Sequence, residues 1–216
     1  MNPSRTASGP PGRVTWAIVP AKPFSEAKSR LGPIVSPEER QAVARRLLER
    51  TVSVLMEVKS LDRVAVVSRD REALQVARDL GAVALAEQGN GLNPALTHAA
   101  EQAVDGGATR VLVLHSDLPM LTKGDVEALV AAGETSDVVI AHDRHLVGTN
   151  ALMTPPGAFP YAFGQGSYSA HLELARLAGF KPAVVARPGL AFDVDYPGDL
   201  DELEVAGPEK WRNLQV

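Results

Sequence analysis

Residues 111–114 (VLVL) are an unbroken aliphatic and β-branched run, and no other feature narrows the fold as far. A strand with one face in water alternates apolar and polar side chains. A run without that alternation is covered on both faces. This places residues 109–114 (TRVLVL) as a strand in the centre of a parallel sheet. Parallel strands cannot be joined by tight hairpins. They need crossovers, usually helices packed on the sheet faces. The rest of the chain supplies that alternation of short β-rich runs and helical periods.

Residues 14–19 read as a first strand, ended by Pro20. Ser36-Pro37-Glu38-Glu39 opens a helix, with Ser36 as N-cap, Pro37 at the first helical position and acids in the first turn. Val43, Leu47, Leu48, Val52, Leu55 and Met56 keep helical spacing and carry that helix to about residue 58. Further strands are expected at 63–68, 82–86, 137–141, 149–153, 182–187 and 191–194. Further helices are expected at 70–80, where Gly81 ends the helix, and at 94–104, 123–132, 167–178 and 197–205. This pattern predicts an α/β fold with a mostly parallel sheet flanked by helices, and an antiparallel element after residue 141. The 216 residues suffice for one such domain, read as 13–216. Residues 1–12 (MNPSRTASGPPG) are rich in Pro, Gly and Ser and have no apolar core. They read as a disordered tail and not as a secretory signal.

Net charge is −4 and no long run of Lys and Arg occurs, so no nucleic-acid partner is expected. The chain has no cysteine, which excludes disulfides, thiolate metal sites and cysteine catalysis. A reducing cytoplasm fits. No apolar stretch approaches the roughly 18 residues that span a bilayer, so no membrane association is expected.

Four places carry polar chemistry. The first is the loop after the first strand, from Pro20 and Ala21, where Lys22, Lys28 and Arg30 stand close together in an acidic chain. A cationic loop past the carboxyl end of a first strand is where an α/β protein holds a polyphosphate, although a solvated basic loop has the same sequence. There is no GxxxxGK[ST] loop, and Gly89-Asn90-Gly91 lacks the third glycine of a dinucleotide fingerprint. Side-chain cations would then do more of the holding.

The second is His115-Ser116-Asp117-Leu118-Pro119, at the end of the central strand. An acid there overlooks the ligand crevice, and Mg²⁺ takes one or two protein carboxylates beside substrate phosphates. Asp117 fits that task, or else is a polar turn residue before Pro119. His115 reads as a turn residue and not a ligand. The third is Phe192-Asp193-Val194-Asp195-Tyr196-Pro197. In an extended segment Asp193 and Asp195 face one way and Val194 faces the core. Two such charges need a cation or solvent between them, which makes them metal-ligand candidates. Asp195 equally fits a helix cap before Pro197, and Asp199 falls in the first helical turn.

The fourth pairs the polar turn 143–150 (DRHLVGTN) with 163–167 (FGQGS), which precedes a helix. Glycines admit an anion to backbone N–H groups, and a helix N-terminus favours negative charge. This is a seat for the acid group of a small substrate, or a flexible loop with Ser167 as N-cap.

In their order, these motifs resemble the phosphoenolpyruvate and 2-phospho-L-lactate guanylyltransferases of coenzyme F-420 biosynthesis. The motifs are Val-Pro-Ala-Lys-Pro with Ala-Lys-Ser-Arg-Leu (19–31), Gly-Leu-Asn (91–93), Ser-Asp-Leu-Pro (116–119), Asp-Arg with Gly-Thr-Asn-Ala-Leu (143–152), Phe-Gly with Ser (163–167) and Asp-Val-Asp with Asp-Leu (193–200). The similarity spans about residues 14–204. It implies a Rossmann-like nucleotide-diphospho-sugar transferase fold. It also implies transfer of GMP from GTP to a phosphorylated three-carbon acid, with phosphoenolpyruvate the first choice, and release of pyrophosphate.

The resemblance further implies that Thr149, Gly164 and Ser167 hold the acid substrate. Asp117, Asp193 and Asp195 would hold Mg²⁺, with Lys22, Lys28 and Arg30 on the GTP phosphates. Pro20, Ala21, Leu92, Asn93 and Ser116 would complete the nucleotide site, with residues 87–93 nearest the base. An ionised phosphate needs no protein nucleophile, and no convincing Ser–His–Asp set is present. Other nucleotidyltransferases of this fold, or a non-catalytic GTP-binding module, would share much of the pattern.

Overall fold

The computed structural model describes residues 12–32, 34–88, 91–207 and 209. Its strands are Thr15–Pro20 (β1), Arg63–Ser68 (β2), Val83–Ala86 (β3), Arg110–Leu114 (β4), Val139–His142 (β5), Thr149–Thr154 (β6) and Ala183–Val184 (β7). They form one sheet in the order β3-β2-β1-β4-β6-β5-β7. The run that reads as a central strand is β4, in the middle of the sheet and buried along its whole length. It is parallel to β1 but antiparallel to β6, so the expected parallel centre holds on one side only. The reversal comes at β6, which the chain enters through the short connection 143–148 and not through a helical crossover.

The helices are Pro37–Met56 (α1), Arg71–Asp79 (α2), Leu92–Asp105 (α3), Lys123–Ala132 (α4), Ser167–Leu177 (α5), Pro188–Ala191 (α6) and Pro197–Ala206 (α7). Helix α1 starts as its sequence requires. The Ser36 hydroxyl accepts from Glu39 N–H at 3.2 Å, and the Glu39 carboxylate accepts from Ser36 N–H at 2.9 Å. Strand periodicity then sorts the core into two layers. Ala17, Val19, Val64, Val66, Leu112 and Leu114 face α1, α2 and α4. Trp16, Ile18, Ala65, Val67, Val111 and Val113 face α3 and α5.

A third cluster positions the site. Leu31, Val43, Leu47, Val194, Leu200 and Leu203 pack together, tying the loop after β1 to α1, to the 192–195 segment and to α7. Full burial of such side chains is worth about 1.5–3 kcal/mol each. With Leu31 and Val194 both fully buried, the charged residues beside them are carried toward one another.

Three expectations change. The strand expected at 182–187 shrinks to β7, and none forms at 191–194. Pro188 instead starts the one-turn α6, with Leu190 buried beneath it. Val194 N–H bonds to Asp117 C=O at 3.1 Å, so it joins no sheet ladder. Helix α3 begins at Leu92, two residues before the expected start, which puts Leu92 and Asn93 in its first turn. The expected tail lies, apart from Gly12, outside the described residues; the Gly12 carbonyl accepts from Thr109 Oγ1 at 3.2 Å.

Candidate active site

Strands β1 and β4 are neighbours, but the chain runs from β1 to β2 on one side and reaches β4 on the other. Ligands of open α/β sheets bind outside the carboxyl ends of strands at such a switch point. A cavity of about 780 Å³ opens there, within the roughly 300–1,000 Å³ usual for small-molecule sites. Pro20, Ala21, Lys22, Lys28 and Arg30 line it from the loop after β1, and Ser116 and Asp117 from the loop after β4.

One wall is built of paired charges. Lys28 takes the left-handed backbone conformation (φ 53°), unusual for a residue with a Cβ, just ahead of the 3₁₀ turn Ser29–Leu31. Its side chain is only 8 % exposed, and its ammonium lies 2.8 Å from Asp117 Oδ2 and 3.3 Å from Asp195 Oδ1 and also donates to the Val194 carbonyl. Burial opposes charge on Lys28, but Asp117 and Asp195 together outweigh it and hold the ammonium above the usual lysine value. Burial likewise opposes charge on Asp117, and Lys28 and the other neighbours hold that carboxyl below its usual range. Arg30 reaches Asp195 Oδ2 at 2.8 Å and lies over the Tyr196 ring. Lys22 is exposed and has no carboxylate partner among the described residues.

Asp117 and Asp195 share the Lys28 ammonium, and Asp193 feels the charge of both, with Val194 buried between Asp193 and Asp195. Asp195 is no helix cap. Its carboxylate meets Lys28 and Arg30, while Asp199 accepts the Asp195 and Tyr196 N–H groups, both at 2.6 Å. Arg144, which sequence reading leaves as one member of a polar turn, stitches this segment together. It donates to the Asp193 carbonyl at 2.9 Å, pairs with Asp199, and lies over the Phe192 ring at 4.5 Å.

Thr149, Gly164 and Ser167 line another part of the cavity wall with uncharged groups, beyond the Asp143 carboxylate that accepts from the Gly148 N–H. Ser167 is not the N-cap of α5, because Gly166 (φ 75°) holds that position. Ser167 is the first helical residue, and its buried hydroxyl accepts the Thr149 N–H at 2.8 Å. Thr149 is also buried, with Oγ1 2.9 Å from His171 Nδ1. Gly164 (φ 136°) completes this wall, and a Cβ there would meet only open space. Its conformation is one that only glycine adopts readily.

Of residues 87–93, Gly89 and Asn90 lie outside the described residues, while Glu87, Gly91 and Leu92 line the cavity. Asn93 does not. Its amide clamps the Phe163 backbone, accepting from N–H at 2.8 Å and donating to C=O at 3.1 Å. His115 lines the cavity beside Phe163, with a buried Nε2 that has no hydrogen-bond partner among the described residues. Burial pushes its pKa down.

The carboxylates suit a divalent cation. Asp117 Oδ1 is buried with no hydrogen-bond partner among the described residues. The Asp193 carboxyl is pushed up to about 6, by burial first and then by the charges of Asp117 and Asp195. Carboxylates that raise one another in this way are relieved by a cation. No cluster of three or more metal-type side chains occurs among the described residues. Two carboxylates match what Mg²⁺ takes when phosphates complete its shell.

A switch-point cavity lined by a cationic loop and by carboxylates fits a nucleotidyltransferase of the nucleotide-diphospho-sugar transferase fold. Solved structures agree on the fold. A chain from Desulfovibrio desulfuricans G20 assigned to the nucleotide-diphospho-sugar transferases superposes with TM-score 0.78 at 18 % identity, covering 93 % of both chains. The CTP-bound structure of CMP:2-keto-3-deoxy-manno-octonic acid synthetase gives TM-score 0.61 at 14 % identity, covering 91 % of this chain and 99 % of that one.

The particular family follows from sequence: residues 15–213 match the family described as "Guanylyl transferase CofC like", and the chain belongs to it. It is 43 % identical over 199 residues to the phosphoenolpyruvate guanylyltransferase of Rubrobacter xylanophilus, covering 91 % of this chain and 97 % of that protein. It is 37 % identical over 197 residues to the 2-phospho-L-lactate guanylyltransferase of Methanothermobacter thermautotrophicus, covering 89 % and 85 %. The chain is thus an enzyme, a guanylyltransferase.

Proposed function

We propose that this guanylyltransferase joins the GMP part of GTP to the phosphate of phosphoenolpyruvate and releases pyrophosphate, a step in coenzyme F-420 biosynthesis. The observation that carries the reading is the meeting of two unlike walls in one cavity. One wall holds cations and carboxylates suited to a triphosphate; the other is a neutral, hydroxyl-and-glycine seat suited to a small acid. Relatives with 43 %, 40 % and 38 % identity bear the name phosphoenolpyruvate guanylyltransferase, which favours that acid over 2-phospholactate.

The reaction balances without a protein nucleophile. An oxygen of the acid's phosphate attacks the α-phosphorus of GTP and forms a new P–O–P bridge. The bond from that phosphorus to the β-bridging oxygen breaks, and its electron pair leaves with pyrophosphate. Two anions must meet, so repulsion dominates the barrier. Magnesium, held by Asp117 and Asp193, supplies positive charge against the phosphates when bound. Lys22, free of any carboxylate among the described residues, is the loop cation open to a phosphate. Arg30 holds one face of its fork on Asp195 and offers the other. Lys28 keeps Asp117 and Asp195 charged and in place. Thr149, Gly164 and Ser167 orient the acid so that its phosphate points toward the GTP wall.

The test is a competition. The enzyme is incubated with GTP, Mg²⁺ and equal phosphoenolpyruvate, 2-phospholactate and 3-phosphoglycerate, and the GMP adducts are read by mass spectrometry. The phosphoenolpyruvate adduct should dominate, with stoichiometric pyrophosphate. Dominance of another acid's adduct overturns the substrate. Pyrophosphate release with CTP or ATP but not GTP overturns the nucleotide.

A further inference from the structure

Helix α5 carries a histidine to which the reaction above gives no role. His171 is fully buried and lies one helical turn beyond Ser167, on the same face. Its Nε2 is 3.1 Å from the Ala162 N–H, and its Nδ1 is 2.9 Å from Thr149 Oγ1. A backbone N–H can only donate. Nε2 is therefore the acceptor, and the proton of the neutral ring sits on Nδ1. The ring stays neutral because burial, helped by nearby His115, pushes its pKa down to about 4. It is also held in place. Phe163 meets it edge-on at 4.7 Å, and Asn93 clamps the Phe163 backbone from both sides of the peptide.

These contacts give the hydrogen-bond chain a direction. Ala162 donates to His171, and His171 donates to the Thr149 hydroxyl oxygen. That oxygen, already accepting, has its own O–H left to donate elsewhere. Ser167 ends the same way: its Oγ accepts from Thr149 N–H and keeps its O–H as a donor. Among the described residues neither hydroxyl proton has a protein acceptor, and both residues line the cavity. Were residue 171 an acceptor at this point, Thr149 would donate inward and turn a lone pair toward the incoming anion.

We propose that His171 is a positioning residue for the acid substrate: its Nδ1–H fixes the Thr149 hydroxyl so that Thr149 and Ser167 present two aligned O–H donors to the anion. This rests on the acid-seat reading above and adds the residue that sets the sign of the seat.

The test is a double-substitution cycle of His171→Leu and Thr149→Val, with KM for phosphoenolpyruvate, KM for GTP and kcat measured for each. His171→Leu should raise the phosphoenolpyruvate KM about tenfold or more, as for loss of an aimed hydrogen bond to a charged group. KM for GTP should stay within about twofold. In the Thr149→Val background the same substitution should leave the phosphoenolpyruvate KM unchanged. Equal effects in both backgrounds, or a parallel rise in KM for GTP, would overturn the positioning role and leave the acid seat standing. Should the leucine variant not fold, His171→Asn, which keeps an N–H donor, carries the test. Its phosphoenolpyruvate KM should stay within about threefold of wild type, and a rise matching Thr149→Val overturns the role. Wild-type enzyme that transfers GMP to no phospho-acid overturns the seat and the proposal together.

Discussion

The two walls of the cavity reach order by opposite means. The wall beyond β1 and β4 uses full charges: Lys28 between Asp117 and Asp195, Arg30 on Asp195, and Asp193 close by with a raised carboxyl. The wall formed by β6 and α5 uses no charge. A one-way hydrogen-bond chain through His171, Thr149 and Ser167 ends in two hydroxyl donors. The buried Lys28 is costly to leave unpaired, but an exposed charge such as Arg30 tolerates rearrangement, because one counter-ion can replace another at modest cost. A buried neutral chain does not, since reversing one member leaves donors facing donors. On the function proposed above, the first wall would accept and release highly charged phosphates, and the second would hold one small acid in one pose.

The largest effect separating the walls should come from Asp117→Asn. Loss of the buried carboxylate weakens charge stabilisation of the transferring phosphoryl group and should cut turnover at least roughly 10²-fold. The fold should survive, because Lys28 keeps Asp195 and the Val194 carbonyl as partners. Pyrophosphate release and far-UV circular dichroism check the two halves. Near-normal transfer by this variant would remove the charged wall from the reaction.

Asp193→Asn should move stability the other way. The Asp193 carboxyl sits at about 6, against an ordinary 3.8. Between about pH 4 and 6 Asp193 therefore keeps in the folded protein a proton that it has lost in the unfolded chain, and its own contribution to stability falls as pH rises through that window, against the rise contributed over the same range by His171, held down to about 4. At pH 7.5 the ionised side chain opposes folding by on the order of 1–3 kcal/mol, a range that allows for its partial exposure. The asparagine variant should melt higher than wild type at pH 7.5, and that gain should shrink as pH falls from 6 to 4. Thermal unfolding across that range decides it, and an unchanged profile would mean that Asp193 is not under charge stress.

The smallest effect belongs to the neutral wall. Gly164→Ala adds a Cβ that meets nothing within 4 Å, so only the backbone at φ 136° opposes it. The cost should be about 1–2 kcal/mol in urea-unfolding stability. KM for the acid should rise while KM for GTP holds. Parallel rises in both constants would show that the two walls are not independent.

Much of this was legible in the chain. The VLVL run announced the central strand, and Ser36-Pro37-Glu38-Glu39 the start of α1, because periodicity and caps are local. Asp117 was locatable because the carboxyl end of a central strand has a known place in such sheets. The 182–194 region was not legible. A short apolar run looks the same whether its N–H groups meet a strand or, as for Val194, the carbonyl of a distant loop. Ser167 looked like a cap because a serine before a helix usually is one, and only the approach of β6 turned its hydroxyl to Thr149. His171 gave no signal, since a histidine on an apolar helix face reads as core.

Outside residues 182–194, the sequence alone determined the kinds of element, their order and the inventory of charged and hydroxyl groups near strand ends, since each depends on neighbours a few residues away. Only the tertiary structure decided the direction of β6 and the pairing of those groups. Lys28 meets Asp117 across 89 residues and Asp195 across 167. Which charge neutralises which, and which way a hydroxyl points, depend on distances between loops that only the packed sheet and the Leu31–Val194 cluster establish.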